Sequence, residues 1–225
     1  MKKLLSTAAI LFFSFIGFAQ NAEQNWGELH GNFQFDGQYY LRDSVIDPTG
    51  EFYPDERFLG QGYANLIYNK GNFRAGIRYE NYQNVMLGFP PGFKGEGITY
   101  RFVQFVKDGL DITAGNFYEQ FGSGLILRAY EERGLGYDNM FDGVRLIYEP
   151  IKGFKVKGII GRQRIYFANS PGIVRALDAS FSFNELFESL NNNPTRFTLG
   201  GSFVSKFQTA NDPFLNLPQN VGAGS

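Results

Sequence analysis

The chain has 225 residues, and its 21 Lys and Arg residues nearly balance its 22 Asp and Glu residues. This balance disfavours a nucleic-acid-binding protein, which needs a basic face, and the absence of cysteine excludes disulfide bonds. No segment after residue 19 approaches the roughly 20 apolar residues of a membrane-spanning helix, whereas a β-barrel remains compatible with the polar composition because its lumen-facing residues are polar.

The N-terminus has the features of a secretory signal peptide. Two lysines precede an apolar run over residues 4–18, and the small residues Gly17 and Ala19 have the spacing of a cleavage site. A membrane anchor is the alternative, but the run is short and no cationic segment follows it. We therefore predict a signal peptide over residues 1–19 and a short periplasmic segment over residues 20–28.

The first predicted strand, residues 29–42, shows a sustained alternation of side-chain polarity. Phe33 and Phe35 fall on one face, while Gln34 and Asp36 fall on the other. Alternation over this length exceeds that of an ordinary strand and is typical of a tilted membrane-crossing one. The pattern predicts a strand with one face toward lipid and the other toward water.

Similar patterns recur along the chain. The aromatic-rich fourth strand is the exception, because its sequence does not indicate which residues share a face. After the eighth strand, residues 184–190 favour one or two turns of helix, for which Asn184 is a candidate N-cap. The predicted strands are residues 29–42, 61–69, 73–80, 97–106, 110–115, 142–149, 154–161, 173–183 and 195–207.

The connections between these strands alternate in length. Outer-membrane barrels have short periplasmic turns and longer external loops, while a soluble β-sandwich has shorter strands and a less regular partition of its loops. We therefore predict an all-β, up-and-down antiparallel transmembrane β-barrel whose strands lie within residues 29–207. The long connections are residues 43–60, 81–96, 115–140 and 162–172, and the tight turns are residues 70–72, 107–109 and 150–153.

The strand count predicts that this barrel is incomplete. About nine strands are expected, whereas bacterial single-chain barrels have an even number. Residues 208–225 contain two prolines and resemble a further loop at a truncated end rather than a closing strand. We expect the chain to be the N-terminal portion of a larger barrel, closed by later strands or by another chain.

One stretch, residues 115–139, is rich in glycine, aromatic residues and charges of both signs. Its sequence, GNFYEQFGSGLILRAYEERGLGYDN, indicates an ordered loop rather than a linker. Together with GFKGEGITYRFVQF before it and GIIGRQRI after it, this stretch resembles the DUF6029 family of Bacteroidota outer-membrane proteins. The resemblance covers roughly residues 31–207, and it implies an outer-membrane β-barrel.

The charged residues of this loop and of the polar strand faces are the candidate functional residues. Arginine and carboxylate side chains on a loop that folds into a barrel can hold its shape by forming ion pairs. We therefore hypothesise that residues 115–139 partly fill the lumen. The lumen and loop candidates are Arg74, Arg78, Glu80, Asp111, Glu119, Arg128, Glu131, Glu132, Arg133, Arg145, Lys155, Lys157 and Arg196.

The sequence shows no recognisable catalytic or metal-binding pattern. The only histidine, His30, lies on the polar face of the first strand and lacks the partners of a nucleophilic site. The loop glutamates suit glycoside cleavage less well than pairing with the nearby arginines. The acidic residues near Asp43 and Asp55 match no calcium-binding spacing. We expect no enzymatic activity, no metal and no cofactor.

These features predict a protein exported to the outer membrane, where its partners are lipid and, as an alternative, an envelope protein. Nucleic acid is not expected as a partner. The favoured function is passive solute passage through a partly filled barrel. The alternatives are a non-conducting barrel with a structural or partner-binding role in the envelope or the secretion machinery, and an outer-membrane enzyme.

Overall fold

The fold was obtained as a computed structural model that describes residues 26–51 and 53–208. The predicted signal peptide and residues 209–225 lie outside the described residues. Nine strands form one antiparallel sheet in the order β1-β2-β3-β4-β5-β8-β9-β10-β11, and β6 and β7 form a separate hairpin. The strands are β1 (Glu28–Tyr39), β2 (Phe58–Lys70), β3 (Phe73–Asn84), β4 (Gly95–Lys107), β5 (Leu110–Phe117), β6 (Glu131–Glu132), β7 (Tyr137–Asp138), β8 (Phe141–Ile151), β9 (Phe154–Ile165), β10 (Ala168–Ser182) and β11 (Thr198–Phe207), and the one α-helix among the described residues is α1 (Phe183–Leu186).

The nine-stranded, up-and-down antiparallel sheet agrees with the prediction from the sequence. Each strand of this sheet pairs with the next one along the chain, so the topology is a simple meander. The described strands do not close into a barrel, because β1 and β11 each have a neighbour on one side only. Nearly all residues of these two edge strands are exposed on both faces.

The central strands have one buried face and one exposed face. In β3, Arg78 and Glu80 are buried, whereas their neighbours Ile77 and Tyr79 are exposed. The same alternation holds in β8, where Arg145 points to the covered side. Successive side chains of a strand point to opposite faces, so period-2 patterning in the sequence was sufficient to assign both faces of β3 and β8. We call the covered side the inner face and the apolar, exposed side the outer face.

An extra residue in β4 explains why the sequence does not reveal the faces of this strand. The register between β3 and β4 shifts at Thr99, because Arg78 pairs with Tyr100 and the following residue, Tyr79, pairs with Ile98. Such a bulge reverses the phase of the alternation. Ile98 and Arg101 are therefore both exposed on the outer face although they are three residues apart.

The sheet is strongly curved around its inner face. The side chains of Glu80 on β3 and Arg164 on β9 approach within 2.7 Å, although β4, β5 and β8 separate the two strands. On a flat sheet these four inter-strand steps would span about 19 Å, which is more than the two side chains can bridge. The inner faces of β3 and β9 therefore look toward each other across a concave interior.

The prediction of a loop over residues 162–172 is wrong. β9 continues to Ile165 and β10 begins at Ala168, so a two-residue turn joins them. Tyr166 adopts a positive φ of 55° in this turn, without the glycine that usually marks one. Pro171 and Gly172 lie where the β9–β10 register shifts, a position that tolerates a residue without a ladder N–H.

The connection over residues 183–197 also departs from the predicted alternation of lengths, because it is long although it lies on the side of the tight turns. A short helix forms there, as expected, but Asn184 is not its N-cap. Ser182 occupies that position and makes no side-chain capping hydrogen bond. The last strand begins at Thr198 rather than at residue 195, so Arg196 lies in the connection and is exposed. Arg196 is therefore not part of the inner face, contrary to the prediction.

Candidate functional site

The chain leaves the sheet after Phe117 and returns at Phe141, and the segment between them covers the inner face. We call this segment, residues 118–140, the inward loop. β4 pairs with β5 only from Phe102 onward. The β5–β8 ladder stops at the pair Phe117–Phe141 while β4 and β9 continue, and the loop turns toward the interior at this level.

The first part of the inward loop is held by apolar packing. Phe121, Leu127 and Ala129 are buried against the ends of β5 and β8 and against Ile159 and Val174 on β9 and β10. Two backbone hydrogen bonds, from Phe121 N to Leu127 O and from Ala129 N to Glu119 O, give this part its compact turn. Apolar burial of this kind fixes the base of the loop to one half of the sheet.

The second part of the loop is a small hairpin formed by β6 and β7. Asn139 closes its base, because its side chain accepts a hydrogen bond from Tyr130 N and donates one to Arg128 O. Gly136 has φ 60°, and a Cβ at this position would lie 2.5 Å from the ring of Phe89. Only glycine combines this backbone conformation with so close a contact, so the tip of the hairpin docks against the loop between β3 and β4.

Arg78 connects the hairpin to the sheet. Its Nη1 donates to both carboxylate oxygens of Glu131 at 2.9 Å, and its Nη2 lies 3.4 Å from Asp138 Oδ2. The Nε atom is 2.8 Å from Glu80 Oε1, but the orientation leaves the Nε–H without a hydrogen-bond acceptor. The Arg78 guanidinium thus contacts two carboxylates of the loop and one of its own strand.

Arg164 extends this ion-pair network across the interior. Its Nη2 donates to Glu80 Oε2 and its Nη1 to Asp138 Oδ2, both at 2.7 Å. The Glu80 side chain is 1% exposed and that of Arg164 is 4% exposed, so these charges are shielded from solvent. Arg133 adds a third cation, with its Nε 3.0 Å from Glu131 Oε1.

Three arginines therefore face three carboxylates, and the network is formally neutral. Removing charges from water is costly unless they are paired and hydrogen-bonded, and here each carboxylate contacts at least one guanidinium. Glu80, Glu131 and Asp138 could in principle hold a metal ion, because their ligand atoms lie within 4.8 Å of one another. The arginines already occupy the positions from which a cation would balance these charges, so we assign no metal here.

Tyr118 and Asp138 complete the loop side of the network. The Tyr118 hydroxyl accepts a hydrogen bond from Arg78 and donates one to Asp138. Burial raises the pKa of the Tyr118 hydroxyl, which therefore remains a neutral donor. Burial also raises the pKa of the Asp138 carboxyl, while the nearby Arg164 guanidinium opposes that shift.

A second group of ion pairs secures the base of the loop. Glu119 lies 2.7 Å from Lys157 Nζ and 3.5 Å from Arg145 Nη1, and its side chain is 7% exposed. Arg145 also contacts Asp111 at 2.9 Å. The sequence placed all four residues among the candidates, and the fold brings them together from β5, the loop, β8 and β9.

Other candidates lie outside both groups. Lys155 pairs with Glu149 at a partly exposed position. Arg74 lies over the Phe102 ring and Arg128 over the Tyr130 ring, and within the described part of the chain neither arginine forms an ion pair. Glu132 is exposed although its neighbour Glu131 is central to the network.

The sequence did not identify Arg164 as a site residue. By strict alternation it falls on the opposite face from Lys155 and Lys157, which would place it outside. It lies one residue beyond the pair Phe141–Gln163 at which β8 begins, with its backbone N–H bonded to Met140 O, and its side chain reaches the inner carboxylates. The inward position of the Arg164 side chain becomes apparent only when the unequal lengths of the neighbouring strands are known.

The inward loop also extends to the edge strand of the sheet. Arg133 Nη1 donates to Gln34 on β1 at 2.9 Å, and its guanidinium lies 4.4 Å above the ring of Tyr63 on β2. One loop therefore contacts strands from β1 to β10. At the opposite end of the sheet, the turns border an open groove that is lined by Asp111, Glu149 and other residues.

Residues that suggested other activities have local roles. Asp43 accepts hydrogen bonds from the backbone of its own loop, as does Asp47. His30 is exposed on β1 and lies 3.4 Å from Glu28. Among residues 26–51 and 53–208, no helix is long and apolar enough to cross a membrane.

Comparison with known proteins gives one distant relative and a family. The chain is 22% identical over 184 residues to the LPS-assembly protein LptD of Burkholderia ambifaria. The alignment covers 78% of this chain but 20% of that protein, so the chain spans about a fifth of the length of this relative. Residues 1–225 match DUF6029, a family of unknown function, and the chain therefore belongs to the DUF6029 family.

Proposed function

We propose that the chain forms part of the wall of an outer-membrane β-barrel whose lumen is constricted by the inward loop. The observation that carries this proposal is the polarity of the two faces. Ile77, Val103 and Ile160 are about half exposed on the outer face, while the inner face holds buried ion pairs. Soluble proteins rarely expose an apolar surface of this extent, and lipid would cover it.

The open edges of the sheet support the same proposal. Lipid cannot satisfy the unpaired backbone groups of an edge strand, so membrane sheets are closed. Further strands, from a longer form of this chain or from another chain, would pair with β1 and β11. The distant similarity to an LPS-assembly protein is consistent with a location in the outer membrane, because LPS is a lipid of that membrane.

The favoured activity is passage of small solutes through the space that the inward loop leaves open. The loop is fixed on one side by apolar packing and on the other by ion pairs, so it acts as a constriction built into the wall. We assign no catalytic step to the buried carboxylates, since arginines or lysine pair with Glu80, Glu119, Glu131 and Asp138.

The pairing of every carboxylate in the buried network favours a second candidate, a non-conducting barrel that binds an envelope partner. A loop whose charges are already satisfied inside the barrel blocks passage and leaves the external loops to recruit the partner. The two candidates differ in conductance, which a planar lipid bilayer measures directly.

Excision of the hairpin tests the proposal. Tyr130 and Asn139 are joined by a backbone hydrogen bond, so residues 131–138 can be replaced by two glycines without moving the base of the loop. We expect the shortened protein to assemble and to show a larger unitary conductance than the native chain. Equal conductance would contradict a constriction by this loop, and silence of both proteins together with a co-purifying envelope protein would support the second candidate.

A further inference from the structure

Three arginines interrupt the apolar outer face near the end of the sheet where the inward loop leaves it. They are Arg101 on β4, Arg162 on β9 and Arg175 on β10, and all three are exposed. Arg175 lies between the buried residues Val174 and Ala176, so strand alternation directs it outward. Arg162 pairs across the ladder with Asp142 on β8.

The arginines lie close to one another. Ile173 is the direct cross-strand partner of Arg162, and Arg175 is two residues further along β10. Diagonal neighbours of this kind lie about 7–8 Å apart, and their Cβ atoms are somewhat closer. Arg101 reaches the same area, because its Nη2 lies 3.3 Å from Asp142 Oδ2.

The group carries an excess of positive charge. Asp142 contacts Arg101 and also accepts a hydrogen bond from Asn169 Nδ2 at 2.9 Å. In the part of the chain that the structure describes, neither Arg162 nor Arg175 forms an ion pair. Three guanidinium groups thus face one carboxylate, and an anion placed between them would relieve their repulsion.

An apolar groove runs from these arginines toward the other end of the sheet. Val144 and Ile160 pair directly beneath Asp142 and Arg162. Next along the wall, Gly158 lies between Leu146 and Leu177, its partners on β8 and β10. No atom lies within 4 Å of where a Gly158 Cβ would be, so the glycine leaves a depression between two exposed leucines.

We propose that this surface binds a phosphate-bearing membrane lipid, with the phosphate at Arg101, Arg162 and Arg175 and an acyl chain along the Gly158 groove. Guanidinium groups bind phosphate through paired hydrogen bonds, and the apolar groove continues directly from them. Free phosphate would use only the arginines, whereas a lipid uses both parts of the surface. The inference rests on the proposed location in a membrane.

Lipid retention by the full chain tests the proposal. The protein is purified from membranes, exchanged into micelles that contain equal amounts of phosphatidylglycerol and phosphatidylcholine with the same acyl chains, and analysed by native mass spectrometry. We expect phosphatidylglycerol to be retained preferentially. The double variant Arg162→Gln/Arg175→Gln should weaken this retention by about tenfold, given the usual strength of charged hydrogen bonds.

Two further variants separate the contributions. Gly158→Leu fills the groove from a Cβ that meets no atom within 4 Å, and it should reduce retention of phosphatidylglycerol while leaving the arginines in place. Arg74→Gln is the matched control, because it removes an exposed arginine from the inner face. Equal retention of both lipids, or unchanged retention in the double variant, would overturn the inference.

The same preparation distinguishes this inference from the proposed function. A native chain that assembles as a heat-modifiable membrane protein but retains no lipid contradicts the lipid site alone. A protein that does not enter the membrane even when the strands that close the sheet are present contradicts both. If the same concentration of inorganic phosphate releases phosphatidylglycerol from the native protein and from Gly158→Leu, the groove contributes nothing to binding. That result would also overturn the lipid site.

Discussion

Replacing Arg78 with methionine should release the hairpin of the inward loop. The Arg78 side chain is 6% exposed and contacts the buried carboxylates of Glu131 and Asp138 as well as Glu80. Methionine keeps much of the volume but leaves the two loop carboxylates without this partner. Removing one partner of a buried ion pair costs roughly 3–5 kcal/mol, because the remaining charge stays desolvated.

This cost falls on the closed state of the loop and much less on an open state, in which Glu131 and Asp138 are hydrated. About 3 kcal/mol corresponds to an increase of about 150-fold in the ratio of open to closed loop. Glu80 retains its contacts with Arg164, so the wall itself should remain folded. The expected result is therefore an opened loop on an assembled sheet.

Limited trypsin cleavage measures this opening, since the loop contains Arg128 and Arg133. When opening and closing are fast compared with cleavage, the cleavage rate follows the population of the open state. Arg78→Met should be cut in the loop about two orders of magnitude faster than the native protein. Arg74→Met, on the same strand and face but outside the network, is the control, and equal cleavage of both variants would refute the reasoning.

Two further substitutions test the outer face and the connection before β11. Val103→Arg places a charge on the exposed outer face and should lower the yield of heat-modifiable membrane protein, since such a charge costs about 2–4 kcal/mol at mid-bilayer. Gln104→Arg, beside Asp111 on the inner face, should assemble normally. Similar yields for the two variants would contradict the assignment of the two faces. Asn184→Ala removes three hydrogen bonds to the connection and should lower the thermal transition by the equivalent of roughly 1–3 kcal/mol. Ser182→Ala, at an N-cap without a side-chain hydrogen bond, should have little effect. A larger loss of stability for Ser182→Ala would show that the Ser182 side chain caps the helix.

The strands and most of their faces could be predicted from the sequence, because both depend on a local rule. Side chains of a strand alternate between two faces, and an error in register would move every apolar residue to the wrong side. Arg78 and Glu80 were therefore assigned to the inner face before any contact was known. The rule failed at Thr99, where one extra residue reverses the alternation.

The mixed charges of residues 115–139 also suggested a loop that pairs with the sheet, but not which residues form the pairs. Glu131 joins the network and Glu132 does not, since adjacent residues of β6 point to opposite sides. Arg128 lies on an aromatic ring instead of a carboxylate. Composition alone could not separate these cases.

The contact between Glu80 and Arg164 depended on the tertiary structure, because the two residues are 84 positions apart. They meet only because the sheet curves and because β5 and β8 end before their neighbours. The outward arginines became a group for a related reason, since pairing of β9 with β10 sets Arg162 beside Arg175. The sequence by itself determined the strands and their polarity, through local alternation, while curvature, strand length and register decided which charges meet.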